Sequence, residues 1–142
     1  MKFIFESEYG QTEISISDLA GSSVANWSSI KTSVVTNCDT SLKNHLSIVL
    51  PPLFSKVFER FRKDVSAIYL SKTKHWVKSH SVLLRAAIDP KKISAIKSFT
   101  AIYFKAKGNI INLQTTDYLG KHEQILSFLK FHLSLLKLIS ET

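Results

Sequence analysis

The stretch SKTKHWVKSH, Ser71 to His80, gathers three lysines, two histidines and a tryptophan. It is where the chain comes nearest to a catalytic or metal-binding signature. His75 and His80 are five residues apart, which on a helix sets them about 140° from each other, whereas paired ligands share one face at a spacing of three or four. No acidic residue lies between Asp64 and Asp89 to orient an imidazole or complete a metal site. The pair therefore reads as solvated or partner-facing histidines. Cys38, with Asp39 beside it and His45 seven residues on, offers a thiol, an orienter and a base, but nothing marks the thiol as activated and a buried, inert cysteine is expected. His122 and Glu123 fit the first turn of a helix, where an acid suits the dipole, and His132 falls on an apolar helix side, as a core histidine.

Motifs for other chemistries are missing. The sequence has no phosphate-binding glycine loop, no dinucleotide turn, no H-E-x-x-H, no C-x-x-C and no nucleophile elbow, and its four glycines leave little for a cofactor cradle. No cofactor and no metal are expected. A metal-independent nuclease needs no local motif, so His45, His75 and His80 keep an acid/base role in view.

Charge is the stronger signal. Residues 1–40 carry two basic against five acidic side chains, a balance of −3, and residues 41–142 carry seventeen against six, or +11. Between Lys43 and Lys107 lie fourteen Lys and Arg against Glu59, Asp64 and Asp89, with Tyr69, Trp76, Tyr103 and Phe104 among them. Phosphate neutralisation beside aromatic surface is the usual composition of a nucleic-acid-binding face, although Trp76 and Phe104 are themselves expected in the core. Within that region Lys56, Arg60 and Lys63 share one face of a helix. Lys72, Lys74 and Lys78 belong to the same basic set: on a helix running on to His80, Lys74 and Lys78 would extend the stripe, while Lys72 would point into the apolar face.

The elements that must position these groups can be read from periodicity. The chain is 142 residues with 44% hydrophobic and 21% charged side chains, enough to build a core as a single domain spanning 1–142 without staples. Phe3 and Phe5, then Ile14 and Ile16, alternate around Tyr9-Gly10 and read as a β-hairpin. Val24, Trp27, Ile30 and Val34 suggest a short helix capped by Ser22 or Ser23. Leu42, Leu46 and Val49 suggest another, capped by Asp39 or Thr40. Pro52 then opens a central amphipathic helix through Leu53, Phe54, Val57, Phe58, Phe61, Val65, Ile68 and Tyr69, breaking near Ser71 or losing its buried face there. SVLLRAAI, residues 81–88, fits helix or buried strand, and Asp89-Pro90 opens a further short helix. A second hairpin lies near 100–116, turning at Lys107-Gly108-Asn109. From about Leu119 a last helix shows one narrow polar strip, Glu123, Ser127, Lys130, Ser134 and Lys137, and is expected to be largely buried. The fold class is α+β, with an all-helical bundle as the alternative.

One cysteine, no signal-peptide pattern and no bilayer-length apolar run point to an intracellular, cytoplasmic chain without a membrane span, in which the sequon Asn26-Trp27-Ser28 has no use. The expected function is binding without enzymatic activity: a polyanion, nucleic acid first, or an acidic protein surface, met by the 43–107 region. A second expectation is an assembly subunit of a larger complex, such as a virion component, or a homo-oligomer, docking through Leu129, Leu133 and Leu136 of the last helix. A small basic nuclease or toxin domain is the third.

Overall fold

The computed structural model describes residues 2–16, 32–50, 55–71, 74–88, 102–115, 119 and 121–142. The strands are β1 (Lys2–Ser7), β2 (Gly10–Ile16), β3 (Thr32–Cys38), β4 (Leu46–Val49), β5 (Ala67–Leu70), β6 (His75–Lys78), β7 (Ile102–Lys107) and β8 (Ile110–Thr115), and the helices are α1 (Lys56–Arg62), α2 (Val82–Ala87) and α3 (His122–Glu141). All eight strands join one sheet in the order β1-β2-β3-β8-β7-β4-β6-β5, every pairing antiparallel.

Residues directly opposite in an antiparallel ladder point to the same face, so the register can be followed across the whole sheet. One such row runs Phe3, Ile14, Val34, Leu113, Phe104, Ile48, Val77, Ile68. It is apolar on every strand, and its six inner members are buried. Over this face lies α3, which contributes Phe128, Phe131, Leu135, Leu136 and Ile139 to the same core. Its polar strip, Glu123 to Lys137, is exposed.

One polar seam crosses this apolar contact. His132 of α3 is fully buried, with its Nε2 2.8 Å from the Thr36 Oγ1, which is 2.8 Å from the Thr12 Oγ1. Thr12 donates to the Ser7 Oγ and Ser7 to the Gly10 carbonyl. A chain of hydroxyls that ends on a carbonyl has one consistent direction. Thr36 therefore donates to Thr12, and His132 carries its proton on Nε2. The seam ties α3 to β3, to β2 and to the turn of the first hairpin.

The central helix is much shorter than its periodicity predicts. Ser55 caps α1 by accepting from the Phe58 N–H, and the helix stops at Arg62. Asp64 ends it, accepting from both the N–H and the hydroxyl of Ser66, a turn that competes with helical hydrogen bonding. The chain then enters the β5–β6 hairpin, turning at Lys74 with φ 59°. The predicted apolar arc is instead assembled in space: Phe58 and Phe61 of α1 pack on Tyr69 and Trp76 of the hairpin at centroid separations of 5.5–6.0 Å, and Tyr69 stacks on Trp76 at 5.0 Å. The sequence SKTKHWVKSH is thus a turn and a strand, not a helix end.

Other expectations also shift. Leu46 and Val49 belong to strand β4, where Leu46 and Ile48 are buried, so period two overrides the helical spacing. Val34 lies in β3, and the remainder of the helix expected before it falls outside the described residues, as does the one expected after Asp89. Residues 82–87 form α2 under an Ser81 cap, placing Leu84 in the core.

Two glycines carry different loads. Gly10 sits at φ +143°, and a Cβ there would run into the Asn37 carbonyl of β3, whereas Gly108 at φ +63° has open space around it. Gly108→Ala should cost about 1 kcal/mol, the left-handed penalty alone. Gly10→Ala should cost about 3 kcal/mol or more, strain plus collision. Urea unfolding of the two variants checks this, and equal losses would contradict it.

Candidate nucleic-acid interface

The alternation that sends the apolar rows toward α3 sends a different set of side chains to the opposite face. One row there runs Glu13, Val35, Asn112, Lys105, Ser47, Lys78. A neighbouring row runs Ser15, Ser33, Gln114, Tyr103. α1 covers the β5–β6 end of this face through its aromatic contacts with Trp76. Between α1 and the exposed rows of β4, β6, β7 and β8 lies a cleft of ≈ 780 Å³. Its floor includes Ser47, Tyr103, Lys105 and Gln114, and Val57 and Phe61 of α1 form one wall.

Among the described residues, the charged side chains that line the cleft are all basic: Lys78, Lys105 and Lys107, accompanied by His45 and His80. Lys78 is partly neutralised, its Nζ 2.8 Å from the Asp64 Oδ2. That ammonium and the Ser66 donors hold the Asp64 carboxyl well below the usual carboxylate range. Among the described residues no ion pair engages Lys105 or Lys107. The cleft therefore offers two unneutralised ammonium groups, an exposed phenol ring at Tyr103 (41% accessible) and amide and hydroxyl groups. Such a lining suits a ligand with an anionic backbone and flat, partly apolar groups.

His45 and His80 are both among the lining residues of the cleft. The β4–β6 ladder pairs Ser47 with Lys78 and ends there, and continuing that register by two residues would set His45 opposite His80, where the chain bends out of the strand. The Ser79 hydroxyl, donating to the His45 carbonyl at 2.7 Å, holds the two segments together there. By the same extension of the β4–β7 ladder, Lys107 flanks His45 on its other side.

The basic residues anticipated from sequence divide into separate groups. Lys56, Arg60 and Lys63 do share one side of α1, around a shallow hollow that also holds Ser55 and Glu59. Lys74 is in the β5–β6 turn and Lys78 on the sheet, so neither extends that stripe, and Lys72 lies outside the described residues. His75 is buried, not solvated or partner-facing, and its Nε2 accepts from the Ile102 N–H at 3.4 Å. His80, His45 and His122 are exposed. Burial, and after it Asp39, raises the Cys38 thiol above its ordinary value, the reverse of what a thiolate nucleophile needs. Of the leucines anticipated as a docking surface, Leu136 is fully enclosed by its own chain and is not available to a partner, and Leu129 and Leu133 are partly buried against the core. The grouping of Lys105 and Lys107 with Tyr103 went unrecognised. Its signal was the alternation in IYFKAK, 102–107, which puts these three on one strand face.

Among the described residues no group of three or more His, Cys, Asp and Glu side chains could hold a metal ion. Among the same residues no helix is long and apolar enough to cross a membrane. Comparison with protein-family models, with curated proteins and with solved structures gives no match.

Beneath the opposite face, His132 gives the fold a defined acid sensitivity. Burial lowers its pKa from 6.5 to about 4, and its Nδ1 has no partner among the described residues. The unfolded chain binds that proton below pH 6.5 and the folded chain does not, so the contribution is complete above pH 6.5 and is lost as the pH falls toward 4. The loss should be roughly 3 kcal/mol. His132→Gln, which can still bond Thr36 but does not titrate, should be less stable at pH 7.5 and lose less between pH 7 and 4.5 in urea unfolding. An equal acid loss in the variant would contradict the assignment.

Proposed function

We propose that the chain binds single-stranded nucleic acid across the open sheet face, with the phosphates on Lys105 and Lys107 and a base stacked on Tyr103. The observation that carries this is the cleft itself: among the described residues its charged lining is basic, and an exposed aromatic stands on its floor. An extended strand can lay unstacked bases on such a surface, whereas a duplex keeps its bases stacked inside and presents mainly backbone. Lys56, Arg60 and Lys63, on the far side of α1, flank the path of the backbone. The chain acts by binding, in the reducing intracellular setting that a single buried cysteine suits. An acidic protein surface would meet the same lysines but would leave Tyr103 without a stacking partner.

One observation favours a second reading, a metal-independent ribonuclease. His45 and His80 both line the cleft, with Lys107. Two imidazoles flanking a phosphate could take the proton of a 2′-hydroxyl and return one to the leaving 5′-oxygen.

Fluorescence anisotropy with a labelled single-stranded oligonucleotide and its duplex, over a salt series, tests the binding. The single strand should bind more tightly. Tyr103→Ala should weaken it by about 1–3 kcal/mol, and Lys105→Gln with Lys107→Gln should flatten the log–log salt slope by about one unit or slightly more. Unchanged affinity and slope in both variants would exclude the cleft. Binding should leave RNA intact. Cleavage of RNA but not of the 2′-deoxy strand, abolished by His45→Gln or His80→Gln, would establish the second reading instead.

A further inference from the structure

The sheet has an edge that the cleft does not explain. β1 pairs with β2 on one side, and among the described residues nothing pairs with its other side. An open edge strand is ordinarily short or protected, yet β1 has six residues and leaves Phe3 51% and Ile4 57% exposed, on opposite faces of the sheet. Its charged residues are Lys2 and Glu6, placed symmetrically about Ile4. The Lys2 Nζ already lies 3.1 Å from the Glu13 Oε1 of β2 on the same sheet face, and its side chain stays 61% exposed, open to a second carboxylate.

We propose that β1 is the docking edge for a second copy of this chain, pairing antiparallel with itself about a two-fold axis through Ile4. In that register Lys2 of each protomer stands opposite Glu6 of its partner, Phe3 opposite the partner's Phe5, and Ile4 opposite Ile4. Two ion pairs and the apolar matches fall into place together, because the strand is complementary to itself read backwards. A shift to the neighbouring registers would lose this match, setting Lys2 opposite Ile4 or Ile4 opposite Glu6. Isologous pairing of this kind is closed, and it removes both open β1 edges at once. The other sheet edge, β5, is four residues long and carries no charge, and its Tyr69 is already engaged with Phe58 and Trp76. The axis stands perpendicular to the sheet, so both α3 helices lie on one side of the joined sheet and both clefts on the other.

Sedimentation equilibrium over a wide concentration range is the test. The wild type should approach twice the 16.0 kDa chain mass as concentration rises. Ile4→Asp, which sets two carboxylates against each other on the axis, should remain at the monomer mass, and so should Glu6→Lys, which faces Lys2. Both positions are exposed, so circular dichroism should show both variants folded. Adding Lys2→Glu to Glu6→Lys, with Glu13→Gln so that the new carboxylate does not face Glu13 of its own chain, should return the dimer, a rescue that loss of fold cannot imitate. A wild type that stays monomeric throughout, variants that dimerise like the wild type, failure of the rescue, or an open-ended series of oligomers would each overturn the proposal.

Discussion

The contact between α3 and the apolar rows of the sheet is the interaction on which everything else depends. Ile14, Val34, Leu113, Phe104, Ile48 and Val77 are each worth about 1.5–3 kcal/mol when fully buried, and they come from six different strands. Burying them fixes which way every strand faces, since a slip of one residue would turn the whole row outward. It also decides where function can be. Once α3 takes one face, the residues between the apolar ones, among them Ser47, Tyr103, Lys105 and Gln114, are presented on the other face at the ladder spacing.

The polar seam inside that contact acts in the same direction. An apolar helix on an apolar sheet can slide at little cost. The His132–Thr36–Thr12–Ser7 chain is satisfied in one alignment, and displacing it would strand several buried groups. The Nδ1 of His132, without a partner among the described residues, is the accompanying cost. On the open face Glu13 of β2 is paired with Lys2 and Lys78 of β6 with Asp64, and among the described residues no ion pair engages Lys105 or Lys107 of β7, so the unbalanced charge there is basic.

Local patterns in the sequence found the elements whose signals are local. Alternation around a glycine located both hairpins, and periodicity located α3. That helix buries only Phe128, Phe131, His132, Leu135, Leu136 and Ile139 and leaves Leu126 exposed, so it is less covered than its narrow polar strip predicts. The central helix was misread because Phe58, Phe61, Tyr69 and Trp76 form a true cluster whose members merely happen to follow helical spacing. The break depended on Asp64 capturing Ser66, a turn that propensity does not reveal. Leu46 and Val49 were misread because four residues are too few to separate period two from period three. The cleft was not legible for a different reason. His45, Lys78 and Lys105 are far apart in sequence and meet only through the strand order β7-β4-β6. Judged within SKTKHWVKSH, His80 was paired with His75, which the sheet buries; it lines the cleft instead, as His45 does.

The central claim is that the face opposite α3 holds the ligand, and amide chemical-shift mapping on addition of a single-stranded oligonucleotide tests it most directly. The shifts should concentrate on Ser47, Lys78, Tyr103, Lys105, Lys107 and Gln114, with α3 unmoved. Shifts centred on the exposed strip of α3 around Lys130 and Lys137, with the sheet amides unchanged, would contradict it.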